Sequence, residues 1–201
     1  MFLKELTMKT VLITTCLAVA LGAGSAHATE VFSDASVTSG LSSVDVEAAE
    51  NLRHCLAADT ELASSRSIRA CTKAYQASIP SYELRSEILT RRGLLRFSNG
   101  KFDKAARDFT KASELSADNN LANLGNGFAA LMKSDTQIAK AKFRDCDDHG
   151  KLAPLAAYGL ALALEQDGDM QAAERAYQQA LELRPEWAAA KENLAKLKMK
   201  T

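Results

Sequence analysis

Apolar residues follow two patterns along this chain. Near the N-terminus they run together, from Val11 to Leu21, broken only by Thr14 and Thr15. Further on they recur at a fixed step. Gly93, Gly127 and Ala161 are each 34 residues apart, as are Ala105, Ala139 and Ala173. Phe109, Phe143 and Tyr177 keep the same step, and Ala112, Cys146 and Ala180 form a fourth column. Four columns sharing one period define an internal repeat. Within each unit a small residue precedes an aromatic by four, which is one helical turn. Each unit therefore reads as two helices joined by a short turn, at Asn99-Gly100, Ser134-Asp135 and Asp167-Gly168. Small residues on the facing helices permit close approach, and the aromatic fills the space between neighbouring units. One such hairpin cannot bury its apolar face alone, so the units must stack.

The repeat extends in both directions. Cys71 and Tyr75 lie one period before Ala105 and Phe109, which predicts an earlier, degenerate hairpin over 44–80 with helices at about Val44–Ala57 and Ser65–Ala77. Cys55 and Cys71 flank its loop symmetrically, so antiparallel helices would bring the two thiols together. A disulfide is expected there in an oxidising compartment. In the loop-entropy model such a closure is worth roughly 3 kcal/mol, and the alternative is a pair of buried thiols. At the other end, Pro185 starts a segment in which Trp187, Leu194 and Leu197 form one apolar stripe with lysines opposite. This predicts a capping helix over 188–201, with Lys196, Lys198 and Lys200 suiting its C-terminal dipole. The alternative, a basic helix touching a membrane, has only a short stripe to work with.

The three best units, 86–119, 120–153 and 154–187, resemble the tetratricopeptide repeat. The resemblance is strongest in 154–187, which closes on Leu183-Arg184-Pro185, and good in 86–119. In 120–153 the closing proline is missing, and Ser134 stands where the turn glycine is expected. The resemblance implies an all-α helical-hairpin solenoid, a right-handed superhelix whose concave face binds peptides or proteins. The inward positions of the first helices would be Thr90, Leu94 and Phe97; Leu124, Phe128 and Leu131; and Tyr158, Leu162 and Glu165. Family members that grip a terminal carboxylate do so with Lys, Arg and Asn on this surface. Here the positions are mostly apolar. Leu94, Phe97, Leu124, Phe128, Leu131, Tyr158 and Leu162 are accordingly the expected partner-binding groove, suited to an amphipathic helix or an extended segment with bulky side chains. An identical stripe is produced by inter-helix core, or by a face that the chain's own leader covers through Val31 and Phe32. Arg92 departs from the aliphatic residue of the general pattern, and Asp108 on the facing helix is placed to pair with it.

Composition and charge narrow the reading. Lys+Arg and Asp+Glu are both 25, giving no net charge, so the basic excess that drives nonspecific nucleic-acid binding is absent. Only 3 prolines and 10 glycines in 201 residues argue against a turn-rich β protein. Residues 1–28 read as a signal peptide: Lys4 and Lys9, the apolar run, then Ala26-His27-Ala28 as a small-x-small site with cleavage after Ala28. Met8 is an alternative start. The run is shorter than the roughly 20 residues a spanning helix needs, which opposes a retained anchor. Thr15 before Cys16 is bulky for lipidation. Residues 29–43, rich in Ser, Thr and Gly, read as a flexible leader.

Candidate chemistry is sparse. His54 has no nucleophile in a recognisable elbow, and no phosphate-binding glycine loop occurs. Asp145-Cys146-Asp147-Asp148-His149 contains metal-ligating types without a recognised spacing, and reads as a polar turn with Cys146 pointing into the packing. No catalytic residue, metal or cofactor is expected. The expected function is an exported, non-catalytic protein-interaction module, periplasmic or secreted. The alternative is a self-associating or envelope-organising protein that uses the same apolar face on a second copy. A metal-dependent or hydrolytic enzyme is the remaining class.

Overall fold

The computed structural model describes residues 43–58, 63–77, 81–146 and 150–199. The expected signal peptide and Ala28 cleavage site, nearly all of the expected leader, Cys16 and Asp147–His149 lie outside these described residues. Among those residues the chain forms nine α-helices: α1 Ser43–Leu56, α2 Ser65–Gln76, α3 Tyr82–Ser98, α4 Phe102–Leu115, α5 Asn120–Met132, α6 Thr136–Arg144, α7 Ala153–Asp167, α8 Met170–Leu183 and α9 Ala188–Lys198. A single 3-10 turn, Gly150–Leu152, precedes α7. The fold is an all-α series of helical hairpins of the solenoid kind. It divides into two compact units at Ala117/Asp118.

Local chemistry sets the helix ends. The side chains of Ser64, Ser81, Asn119 and Asp169 each accept a backbone N–H from the first turn of the helix that follows, the usual service of an N-cap. The three hairpin turns share one backbone device. Gly100, Ser134 and Gly168 have φ of 69°, 64° and 85°. Ser134 thus adopts the conformation of the glycine it replaces, at the cost of about 1–2 kcal/mol that a Cβ imposes in the left-handed region. Its hydroxyl accepts a hydrogen bond from Gln166 Nε2 at 2.9 Å.

In the first unit α1 pairs with α2 and α3 with α4, and α3 also packs on α1 and α2. The core gathers Leu52, Cys55, Cys71, Ala74, Ile88 and Leu95. The Cys55 and Cys71 sulfurs are bonded, with Cα atoms 4.6 Å apart and 16 residues of separation. The cross-link therefore joins α1 to α2 inside the least regular hairpin.

The α3–α4 hairpin adds a buried electrostatic tie. Arg92 sends Nε and Nη2 to the two oxygens of Asp108, at 3.0 and 2.8 Å. Arg96 Nη1 adds a third bond to the same carboxylate at 2.5 Å. Arg92 and Asp108 are both buried, so the pair noted in the sequence is an interior one, and it has two cations for one anion. Arg92 Nη1 also reaches Thr72 Oγ1 at 3.2 Å, tying α3 to α2.

In the second unit the order of packing is α5 on α6, α6 on α7, α7 on α8 and α8 on α9. Phe143 of α6 sits between two glycines. A Cβ on Gly127 would meet its ring at 2.8 Å, and one on Gly159 at 2.5 Å. In the first unit a Cβ on Gly93 would meet Phe109 at 2.6 Å. In the α3–α4 and α5–α6 hairpins the small residue of the first helix therefore opposes the aromatic of the second helix, not the small residue there. On α9, Ala189, Ala190 and Leu197 are buried, and Lys198 pairs with Glu174 of α8 at 3.2 Å.

Breaking the buried ion pair on one side should be costly. Asp108→Ala is expected to destabilise the protein by about 3–5 kcal/mol, because two guanidinium groups lose their common carboxylate. Arg92→Leu combined with Asp108→Leu should recover part of that loss, since the apolar pair needs no neutralisation while Arg96 still lacks its carboxylate. Urea unfolding followed by far-UV ellipticity measures both. Strictly additive costs for the two sites would show that the pair is not coupled.

Candidate interaction surface

The first helices of the hairpins were expected to present an apolar groove. The structure corrects this for the seven residues assigned to it. Leu94, Phe97, Leu124, Phe128, Leu131, Tyr158 and Leu162 are all buried, the most accessible being Leu131 and Leu162 at 7 %. The physical reason is ring packing. Phe97 lies edge-on to Phe102, with centroids 5.1 Å apart. Phe128 lies edge-on to Phe143 at 4.8 Å. Tyr158 stands between Tyr177 at 5.8 Å and Trp187 at 4.7 Å. Offset and edge-on aromatic pairs of this kind contribute beyond the area they bury. Helical spacing shows that these residues share a face, but does not distinguish packed interior from open groove.

The polar members of the same positions are also engaged. Thr90 donates its hydroxyl to the Ser86 carbonyl at 2.9 Å. Glu165 accepts a hydrogen bond from the Tyr177 hydroxyl at 3.0 Å. Burial first, and then the Glu165 carboxylate, push the Tyr177 phenol far above its usual range. The Tyr158 hydroxyl accepts from Asn193 Nδ2 at 2.9 Å, so α9 is pinned to α7 by a side-chain bond as well as by the Trp187 ring.

The candidate chemical groups are located just as plainly. Cys146 is buried, and its thiol faces the Asn120 carbonyl at 3.7 Å. Burial, aided by the negative charge of Asp145, pushes its pKa up to about 11. His54 is exposed on α1. Among the described residues no three His, Cys, Asp or Glu side chains gather closely enough to hold a metal ion. Also among them, no helix is long and apolar enough to cross a membrane.

What the sequence reading missed is a group of cations on the first unit. The Tyr75 ring of α2 carries Arg85 Cζ at 4.6 Å, Arg92 Cζ at 5.5 Å and Lys111 Nζ at 5.7 Å from its centroid. Four residues from three helices thus meet at one point. The only sequence signal was the aromatic column itself, in which Tyr75 alone brings a hydroxyl to the first unit. Burial alone would raise the Tyr75 phenol, but hydrogen bonds from Arg85 and Lys111, and then their charges, hold it below its ordinary value.

Comparison with known proteins supports the repeat. Residues 154–187 and 86–119 each match a family model for the tetratricopeptide repeat. No curated protein sequence matches the chain. Among solved structures it is similar to MamA of Desulfovibrio magneticus RS-1 from residue 41 onward, at 18 % identity. That match covers 78 % of this chain and 84 % of the other, with a TM-score of 0.64. It is also similar to the first TPR domain of human RPAP3, at 20 % identity over 57 % of this chain and 90 % of that one, TM-score 0.54. The first TPR of Spaghetti (RPAP3), bound to the HSP90 peptide SRMEEVD, matches at 19 % identity over 62 % and 97 %, TM-score 0.55. At these identities the likeness is one of fold. Two of the hairpins, residues 86–119 and 154–187, are tetratricopeptide repeats.

Two expectations follow. Phe128→Glu places a carboxylate in the ring cluster with no partner, and should cost more than about 4 kcal/mol. Trp187, the single tryptophan, reports on the same unit, so its emission should shift to the red at temperatures where the parent protein is folded. Native emission and an unchanged melting temperature would instead place this ring on an accessible face. Separately, a thiol with a pKa near 11 is on the order of 0.1 % thiolate at pH 8. Cys146 should therefore resist iodoacetamide in the folded protein and react readily in urea, as read by peptide-resolved mass spectrometry.

Proposed function

We propose that this chain is an exported, non-catalytic interaction module that binds a peptide or a helix of another protein. The observation that carries the reading is the stack of hairpins itself: repeats at 86–119 and 154–187 match the tetratricopeptide pattern, and the helices between and around them continue it. One structural neighbour with this fold holds a peptide, which supports the same mode of use here. A preordered scaffold of this kind lowers the ordering cost of capturing an extended or helical ligand.

Export rests on the sequence of residues 1–28 and on the Cys55–Cys71 bond. Disulfides persist in oxidising compartments and are rare in reducing ones. The bond joins the hairpin with the poorest repeat sequence, where a covalent tie has the most to contribute. The state of the candidate groups supports the non-catalytic reading. Cys146 is buried with a raised pKa, and Cys55, next to His54, is held in the disulfide.

The test is in-cell cross-linking of the full chain in its own cells, followed by mass spectrometry of bait and captured protein. The expected result is a bait beginning at Thr29, with Cys55 and Cys71 recovered as a linked peptide, joined to a second protein through hairpin residues. A bait that retains residues 1–28 in a reducing compartment would overturn export. A bait cross-linked only to its own copies would overturn the adaptor reading in favour of a self-associating structural protein.

A further inference from the structure

The total charge of the chain is zero, but it is not evenly placed. Residues 65–115 hold 11 Lys and Arg against 5 Asp and Glu. Helix α2 contains no acidic residue at all. Asp108 and its partners Arg92 and Arg96 satisfy one another in the interior, and Lys73 pairs with Glu47 of α1. The excess is therefore borne by side chains such as Arg69, Arg107 and Lys111, which are exposed on α2 and α4.

The cations converge at Tyr75. Arg85, from the first turn of α3, lies nearest its ring, at 4.6 Å, and Lys111 of α4 approaches at 5.7 Å. Arg92 stands behind at 5.5 Å, already bidentate on Asp108. Among the described residues no carboxylate lies within ion-pair distance of Arg85 or Lys111. Holding several cations around one ring is offset in part by cation–π attraction, about 0.5–1 kcal/mol each at exposed sites. Their mutual repulsion remains, and an incoming anion relieves it. The Tyr75 hydroxyl oxygen accepts from Arg85 and Lys111, and these hydrogen bonds, with the two charges, hold its phenol below its ordinary pKa.

We infer that Arg85, Lys111 and the Tyr75 hydroxyl form a docking point for an acidic segment of a partner protein, with one carboxylate bridging the two cations. This rests on the reading of the chain as an interaction module. The site lies on α2, the start of α3 and α4, apart from the first-helix positions assigned to the groove. Charge complementarity selects the occupant: two converging donors and a hydroxyl suit a discrete carboxylate, and the surrounding basic residues extend the attraction along a run of acidic side chains. An exposed aromatic, Tyr82, one helical turn before Arg85 and 64 % accessible, offers a ring of the kind that anchors protein interfaces. A flat anionic membrane requires no such convergence.

The test uses the full disulfide-bonded chain and a fluorescent glutamate-rich peptide, with the matching glutamine-rich peptide as control, read by anisotropy. The glutamate peptide should bind and the glutamine peptide should not. Arg85→Gln with Lys111→Gln should weaken binding by about tenfold or more, Tyr75→Phe by a smaller factor, and Arg85→Lys should retain most of it. Lys191→Gln with Lys196→Gln, in the second unit, should leave affinity unchanged, and melting curves verify that each variant is folded. Equal losses in the two double variants would overturn the site, reducing it to general charge attraction. No peptide binding would also overturn it, and co-sedimentation with phosphatidylglycerol vesicles would then assign the basic face to a membrane. If the partner found by in-cell cross-linking stays bound to the Arg85→Gln/Lys111→Gln variant, this site fails while the interaction module stands. If no partner is captured by either protein, the module reading fails.

Discussion

The close approach of a glycine to an aromatic ring is the constraint on which the hairpins depend. A Cβ at Gly93 would stand 2.6 Å from Phe109, and at Gly159 2.5 Å from Phe143. These are distances that real carbon atoms do not share, so the ring can lie against the helix only where the side chain is absent. Close packing of this kind leaves little room for adjustment, because interiors have the density of organic crystals. Phe143 shows how the constraint spreads: one ring rests on Gly127 of its own hairpin and on Gly159 of the next. The period of 34 in the sequence is therefore the spacing at which one contact must be rebuilt. Its small and aromatic columns are the two sides of that contact.

Where the pattern weakens, other forces take its place. The first hairpin lacks the glycine column, and there a disulfide joins α1 to α2. In the next hairpin the consensus aliphatic position is Arg92, and its charge is answered within the same hairpin by Asp108. A buried pair of this sort adds little net stability compared with apolar packing, but it penalises any misregister that separates its members. Ser134 is a third case, a strained turn residue supported by the Gln166 hydrogen bond. These three departures from the repeat are thus each accompanied by a local tie.

The columns made the architecture legible. The helix bounds read from them, Val44–Ala57 and Ser65–Ala77, differ by about one residue from Ser43–Leu56 and Ser65–Gln76. The Arg92–Asp108 pair was legible for the same reason, since a fixed hairpin geometry determines which residues face each other. The state of the first-helix stripe was not legible. Leu94, Phe128 and Leu162 share a face by spacing, and spacing carries no information about what covers that face. The rings that bury Phe97 and Tyr158 come from Phe102 and Trp187, at a turn boundary and just before α9, outside the repeating columns. The cation group at Tyr75 was hidden more deeply. Its members are drawn from three helices at irregular separations, and neither Arg85 nor Lys111 belongs to a repeating column.

That group also shows why a zero net charge misleads for a repeat protein. Net charge governs solubility and long-range fields, but recognition is decided within roughly one Debye length, about 8 Å at physiological ionic strength. Arg85, Arg92 and Lys111 all lie within that distance of the Tyr75 ring. Glu83, Glu87 and Glu114 share the helices of these cations, yet among the described residues none forms an ion pair with Arg85 or Lys111. Asp108, the carboxylate in their midst, is already held by Arg92 and Arg96. The interior ion pair and the surface cations meet through Arg92, which is bidentate on Asp108 and also lies against the Tyr75 ring. The cation group thus gathers beside the hairpin whose sequence departs from the consensus by an arginine.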